Sequence, residues 1–130
     1  MTAASFMEAY QAGTVPSSFW GPQVRELHTS HDGLGEYTIF EVSRSGDNIV
    51  LCGIAVADKS WGTGTRSMQW LLSLADEHGC TVELTVQPVG NGSTYVAKGL
   101  NRGQLRRWYR SMGFKFNQYW EGVRLPNSTA

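Results

Sequence analysis

The chain lacks any apolar run near the roughly twenty residues that a membrane-spanning helix needs. Met1 to Gly13 contain no basic segment leading into an apolar core. A membrane protein and a secreted one are therefore not expected, and the reading is a soluble, cytoplasmic protein. Cysteine is scarce: Cys52 and Cys80 are the two in the chain, without C-x-x-C spacing. That excludes a disulfide framework and a cysteine-based metal site, and both are expected as buried free thiols, Cys52 inside an apolar strand. His28-x-x-His31-Asp32 falls in an expected loop, where solvent exposure is commoner than metal ligation, so no metal is expected. Acids are missing altogether from Gln87 to Trp120, where Lys98, Arg102, Arg106, Arg107, Arg110 and Lys115 stand. Before Lys59 the balance reverses, with Glu8, Glu26, Asp32, Glu36, Glu41, Asp47 and Asp58 against Arg25 and Arg44. The totals cancel at 11 basic and 11 acidic residues, but a basic half suits an anionic ligand and an acidic half a cationic amine. With 130 residues and no internal repeat, residues 1–130 make one domain.

What the chain does have is a readable order of elements. Residues 3–12 favour a short helix, Gly13 to Pro22 a loop, and Val24 to Thr29 an edge strand. Tyr37 to Arg44 alternates in β-forming residues, and Ser45-Gly46-Asp47-Asn48 has the chemistry of a hairpin turn into the run Ile49 to Ala57. From Thr65 the apolar residues Met68, Leu71, Leu72 and Ala75 recur at helical spacing, with Gly79 at the position of a C-terminal cap. Thr81 to Gln87 alternates as a strand, placing Val82, Leu84 and Val86 on one face and Glu83 and Thr85 on the other. Pro88 to Gly99 reads as a loop. Arg102 to Met112 is a second amphipathic helix closed by Gly113, with Leu105, Trp108, Tyr109 and Met112 inward, and Phe114 to Leu125 returns as one or two strands.

The junction of the apolar strand with the first long helix carries chemistry. Asp58-Lys59-Ser60-Trp61-Gly62-Thr63-Gly64-Thr65 is a glycine turn opening a helix. Free backbone N–H groups and the positive end of the helix dipole make such a turn an anion site. No lysine follows Gly64, which excludes a nucleoside-triphosphatase phosphate loop. Gly62-x-Gly64-x-x-Ser67 lacks the third glycine of a dinucleotide fingerprint, although Glu83 stands near the ribose-binding distance. A ligand-free tight turn is the plain alternative.

The pattern Lys59-x-x-Gly62-x-Gly64 resembles the Q/R-x-x-G-x-G/A pyrophosphate loop of the GNAT superfamily of acyl-coenzyme A-dependent N-acyltransferases. Leu105-x-x-Trp108-Tyr109-Arg110-Ser111-Met112-Gly113-Phe114 is similar to that family's later helix, and Val123-Arg124-Leu125-Pro126 to its last strand. The motifs span about Ile49 to Pro126 in the family's order, behind a front that looks shortened. The resemblance implies an α/β (α+β) fold: a mixed, mostly antiparallel sheet with splayed central parallel strands, flanked by helices.

It also implies a reaction, transfer of acetyl from acetyl-coenzyme A, as co-substrate, to a primary amine. The pantetheine arm would pair with the edge Ala55, Val56 and Ala57. The pyrophosphate would lie on the amides of Trp61, Gly62, Thr63, Gly64 and Thr65, with Lys59 and Arg66 as cations. Tyr109 would protonate the departing thiolate, or else be a core aromatic, and a backbone N–H near Val56 would stabilise the oxyanion. Asn48 occupies the catalytic position at which histone-acetylating relatives carry a glutamate base. An amide accepts no proton at neutral pH, so water or an already neutral amine takes that part. The acceptor is left open among a small molecule, a protein and a modified nucleobase, and a homodimer is also left open. Two other readings stand beside this one: a non-catalytic coenzyme A-binding module, and a nucleic-acid-binding protein using the basic helix 102–110.

Overall fold

A computed structural model describes residues 2–17, 21–28, 37–56, 63–86 and 102–126. In chain order these form α1 (Ala3–Gly13), β1 (Val15–Ser17), β2 (Gly21–His28), β3 (Tyr37–Ser45), β4 (Asn48–Val56), α2 (Thr63–Glu77), β5 (Val82–Thr85), α3 (Arg102–Arg110), β6 (Lys115–Phe116) and β7 (Glu121–Arg124). The strands make one seven-stranded sheet in the order β1-β2-β3-β4-β5-β7-β6. The β4–β5 pair is parallel and every other pairing is antiparallel. The expected mixed, mostly antiparallel sheet with helices is thus the fold.

Local chemistry explains the elements. Helix α1 starts in a reciprocal cap, the Thr2 hydroxyl accepting from the Ser5 amide at 3.2 Å while the Ser5 hydroxyl accepts from the Thr2 amide at 3.0 Å. Helices α2 and α3 stop by one device. Gly79 and Gly113 take positive φ of 67° and 101°, and the next residues, Cys80 and Phe114, donate back to the carbonyls of Ala75 and Tyr109. That closure needs a left-handed residue, which glycine adopts without steric cost. Helix α3 itself ends at Arg110, two residues short of the expected end at Met112.

All three helices among the described residues cover one face of the sheet. Ile49, Leu51, Val82 and Leu84 alternate inward and join Phe6 and Tyr10 of α1, Met68, Leu71 and Leu72 of α2, and Leu105 and Tyr109 of α3 in one core cluster. Burying each large apolar side chain of the α2 stripe contributes about 1.5–3 kcal/mol. Two hydroxyls inside this layer satisfy each other, Thr38 of β3 and Ser67 of α2 at 2.7 Å, as burial of polar groups demands.

Three expectations change at this level. Val15–Ser17 is strand β1, pairing with β2, where a loop from Gly13 to Pro22 was expected; Pro16 is tolerated because β1 is the sheet edge. Consequently β2 is an interior strand between β1 and β3, not an edge. Cys52 is exposed, not buried, while Cys80 is buried and both are free thiols. The cause is a bulge: Glu41 pairs with Gly53 but Val42 with Leu51, leaving Cys52 as the extra residue of β4.

Candidate functional site

Two neighbourhoods border the central strands, one at the end of β4 and one on the sheet face that no described helix covers, the helix-free face among the described residues. The β4–β5 ladder joins Ile49, Val50 and Leu51 to Val82, Glu83 and Leu84. There it ends. Strand β4 runs on from Cys52 to Val56, paired among the described residues with β3, with Ile54, Ala55 and Val56 opposite Phe40, Ile39 and Thr38. Strand β5 turns its bonding the other way, Thr85 pairing with Glu121 and the Val86 amide donating to the Trp120 carbonyl at 3.0 Å. Beyond Leu51 the two parallel strands no longer share a ladder.

Of the expected cofactor residues, Ala55 and Val56 lie on this stretch of β4, and Thr63, Gly64, Thr65 and Arg66 form the first turn of α2. Ala57, Lys59, Trp61 and Gly62 lie outside the described residues. The Trp108 indole N–H donates to the Thr65 hydroxyl at 3.0 Å, a contact across 43 positions of sequence. It fastens α3 to the opening turn of α2. Arg66 is exposed on the same turn.

Tyr109 follows Trp108 and is buried, 7% exposed. Its ring meets Phe114 edge-on at 5.6 Å and tilts against Phe116 at 6.5 Å. Burial raises its pKa well above the ordinary tyrosine value, so the phenol keeps its proton across the physiological range. Tyr109 is thus a core aromatic in its packing.

Asn48 lies elsewhere. It opens β4 beside the hairpin turn, and its amide Nδ2 donates to the Glu83 carboxylate at 3.1 Å. Since Ile49 and Val82 face the helices, Asn48 and Glu83 face away from them. The two residues expected to be catalytic, Asn48 and Tyr109, therefore sit on opposite faces and do not converge.

The helix-free face holds a feature that sequence reasoning missed. Register pairing sets Ser43, Val50, Glu83, Val123 and Lys115 in one row across β3, β4, β5, β7 and β6. An open groove of about 550 Å³ follows that row, lined among others by Val50, Glu83, Thr85, Lys115, Glu121 and Val123. Glu121 is engaged by the Asn117 amide at 2.8 Å. Glu83 is half-buried, held through one oxygen by Asn48, and no described lysine or arginine pairs with it. The alternation of Thr81 to Gln87 pointed Glu83 to this face; its valine neighbours follow from β7 inserting between β5 and β6, which no local pattern announces.

His28 is exposed, and its Nε2 lies 3.0 Å from the Glu26 carboxylate; His31 and Asp32 lie outside the described residues. No group of three potential metal ligands occurs among the described residues. Among them, too, no helix is long and apolar enough to cross a membrane. Comparison of the chain with protein-family profiles, curated proteins and solved structures finds no match.

Proposed function

We propose that the chain is an N-acyltransferase of GNAT-like architecture that moves acetyl from acetyl-coenzyme A to a primary amine. One observation carries the reading: the parallel β4–β5 ladder stops at Leu51 and Leu84 while β4 continues to Val56. A strand edge that no described strand covers offers backbone N–H and C=O groups to an amide-bearing arm. Next in chain order after that strand comes α2, whose first-turn amides and dipole suit a pyrophosphate. The bond from Trp108 to Thr65 supports the pairing of the Lys59 to Gly64 and Leu105 to Phe114 motifs in one site.

In this reading Cys52 to Val56 receives the pantetheine arm and Thr63 to Arg66 the phosphates. The Tyr109 phenol supplies the proton that the departing thiolate takes up. A second reading draws on α3, where Arg107 and Arg110 are exposed and the first turn holds no acid: such a face attracts a polyanion, and nucleic-acid binding that weakens steeply with salt identifies it.

Calorimetric titration with acetyl-coenzyme A tests the proposal. Saturable binding that Gly64→Val abolishes is the expected result, because a side chain there occupies the phosphate's space. No binding at millimolar acetyl-coenzyme A overturns it, and binding without turnover on a broad amine panel selects the non-catalytic module.

A further inference from the structure

We propose that the groove on the helix-free face receives the acceptor's primary ammonium group, and that Glu83 is the carboxylate that binds it and takes its proton. The inference rests on the acyl-transfer reading for the proton step, but the groove itself is independent of that reading.

Chemistry sets the need. An alkylammonium has no lone pair, so it must lose a proton before its nitrogen attacks a thioester carbonyl. Asn48 cannot accept that proton. The Asn48 amide instead donates to one Glu83 oxygen at 3.1 Å, fixing the carboxylate while no described cation neutralises it. Asn48 is on this account a positioning residue.

The surroundings of Glu83 fit an alkylamine. Val50 and Val123 flank it on the neighbouring strands, in register on either side, and offer apolar walls for a methylene chain. The groove of about 550 Å³ holds two carboxylates, Glu83 and Glu121, against the single ammonium of Lys115, so its charge favours a cation. Glu83 pairs with Val50, two residues before Cys52, where the β4–β5 ladder has already ended. Past Leu51 and Leu84 no ladder joins the two strands among the described residues; a thioester lying between them would meet the amine from the Glu83 face, while Tyr109 belongs to the helix face.

The step balances. Glu83 accepts a proton from the ammonium, the freed nitrogen forms the C–N bond, and the C–S bond breaks. The thiolate takes a proton, from Tyr109 in the reading above; the second proton that the nitrogen sheds on becoming an amide restores Tyr109 through water, and Glu83 returns its own to water. The products are the amide, free coenzyme A and one proton.

The test uses the full chain and 1-aminopentane as probe, with 1-pentanol as the uncharged control. Titration followed by amide NMR is expected to shift Val50, Glu83 and Val123 with the amine and not with the alcohol. Glu83→Gln, which preserves shape, should weaken amine binding at least tenfold while leaving acetyl-coenzyme A affinity unchanged. With an accepted amine, the same variant should lower kcat about a hundredfold. Equal shifts with pentanol, shifts confined to other regions, or an unaltered Glu83→Gln variant each overturn the proposal. So does self-association through this face, read by sedimentation as a dimer that Val123→Lys dissolves. Amine binding at Glu83 without any response to acetyl-coenzyme A keeps the groove and overturns the proton step, whereas the reverse pattern overturns the groove and leaves acyl transfer standing.

Discussion

Arg124 of β7 grips Asp76 of α2 with both ends of its guanidinium, Nη1 to Oδ1 at 2.7 Å and Nη2 to Oδ2 at 3.0 Å. Its Nε also donates to the Met112 carbonyl at 2.9 Å, so one side chain joins β7, α2 and the turn after α3. The Arg124 side chain is only 10% exposed. A bidentate pair of this kind is strong because its geometry is fixed, and removing one partner leaves a charge with little water.

Asp76→Asn keeps the shape and removes the charge, and should therefore destabilise the fold by about 3 kcal/mol. Urea unfolding measures this. Replacing both partners together, as Asp76→Leu with Arg124→Met, should recover most of the loss, since no charge is then stranded. A single-variant loss below about 0.5 kcal/mol, the size typical of solvated surface pairs, would refute the structural role.

Tyr10 gives a prediction of the opposite sign. Its ring is 1% exposed and packs on Phe6, Phe40 and Trp70, yet its hydroxyl has no hydrogen-bond partner. Tyr10→Phe should stabilise the protein by about 1 kcal/mol, because a buried unsatisfied hydroxyl costs that much or more. Alkaline titration gives a second readout. Burial raises the Tyr10 pKa above its unfolded value of 10.0, Arg25 opposing and Glu41 reinforcing the shift. The resulting stability is complete below about pH 10 and is lost as pH rises further, when the unfolded phenol ionises and the folded one does not. The variant should lose less stability than the parent from pH 10 upward.

Much of this fold was written locally. The helical stripe Met68, Leu71, Leu72 and Ala75, the caps at Gly79 and Gly113, and the hairpin at Gly46 follow from spacing and turn chemistry, and each forms as expected. What escaped depends on partners distant in sequence. Strand β1 exists because β2 offers it an edge. Cys52 is exposed because a register slip against β3 makes it a bulge, which β4 alone does not encode. Glu83 was legible as outward-facing, but the groove around it needs Val123 and Lys115, brought there by the hairpin of β6 and β7. The resemblance put both Asn48 and Tyr109 at catalytic positions, although they belong to opposite faces.

Gly122 shows how tightly that hairpin is set. A Cβ built on it lies 2.6 Å from the Phe116 ring, inside the contact distance of any two carbons. Gly122→Ala should displace Phe116 and cost about 1–3 kcal/mol, the range for overfilling a packed site. Phe116→Leu together with Gly122→Ala relieves the clash and should restore stability, as thermal unfolding would read.

The bond between Trp108 and Thr65 separates packing from chemistry in α3. Trp108→Phe keeps an aromatic ring and deletes the donor, which should cost about 1 kcal/mol in stability. It should also weaken acetyl-coenzyme A binding, because the opening turn of α2 is no longer fastened to α3. Tyr109→Phe, one residue on, should leave that affinity and the melting temperature nearly unchanged, since the ring contacts with Phe114 and Phe116 persist. Its effect should fall on kcat, by about a hundredfold for the loss of a general acid. Should the Tyr109→Phe enzyme turn over at the parental rate, Tyr109 is a core aromatic alone, and the thiolate draws its proton from water entering where β4 and β5 part.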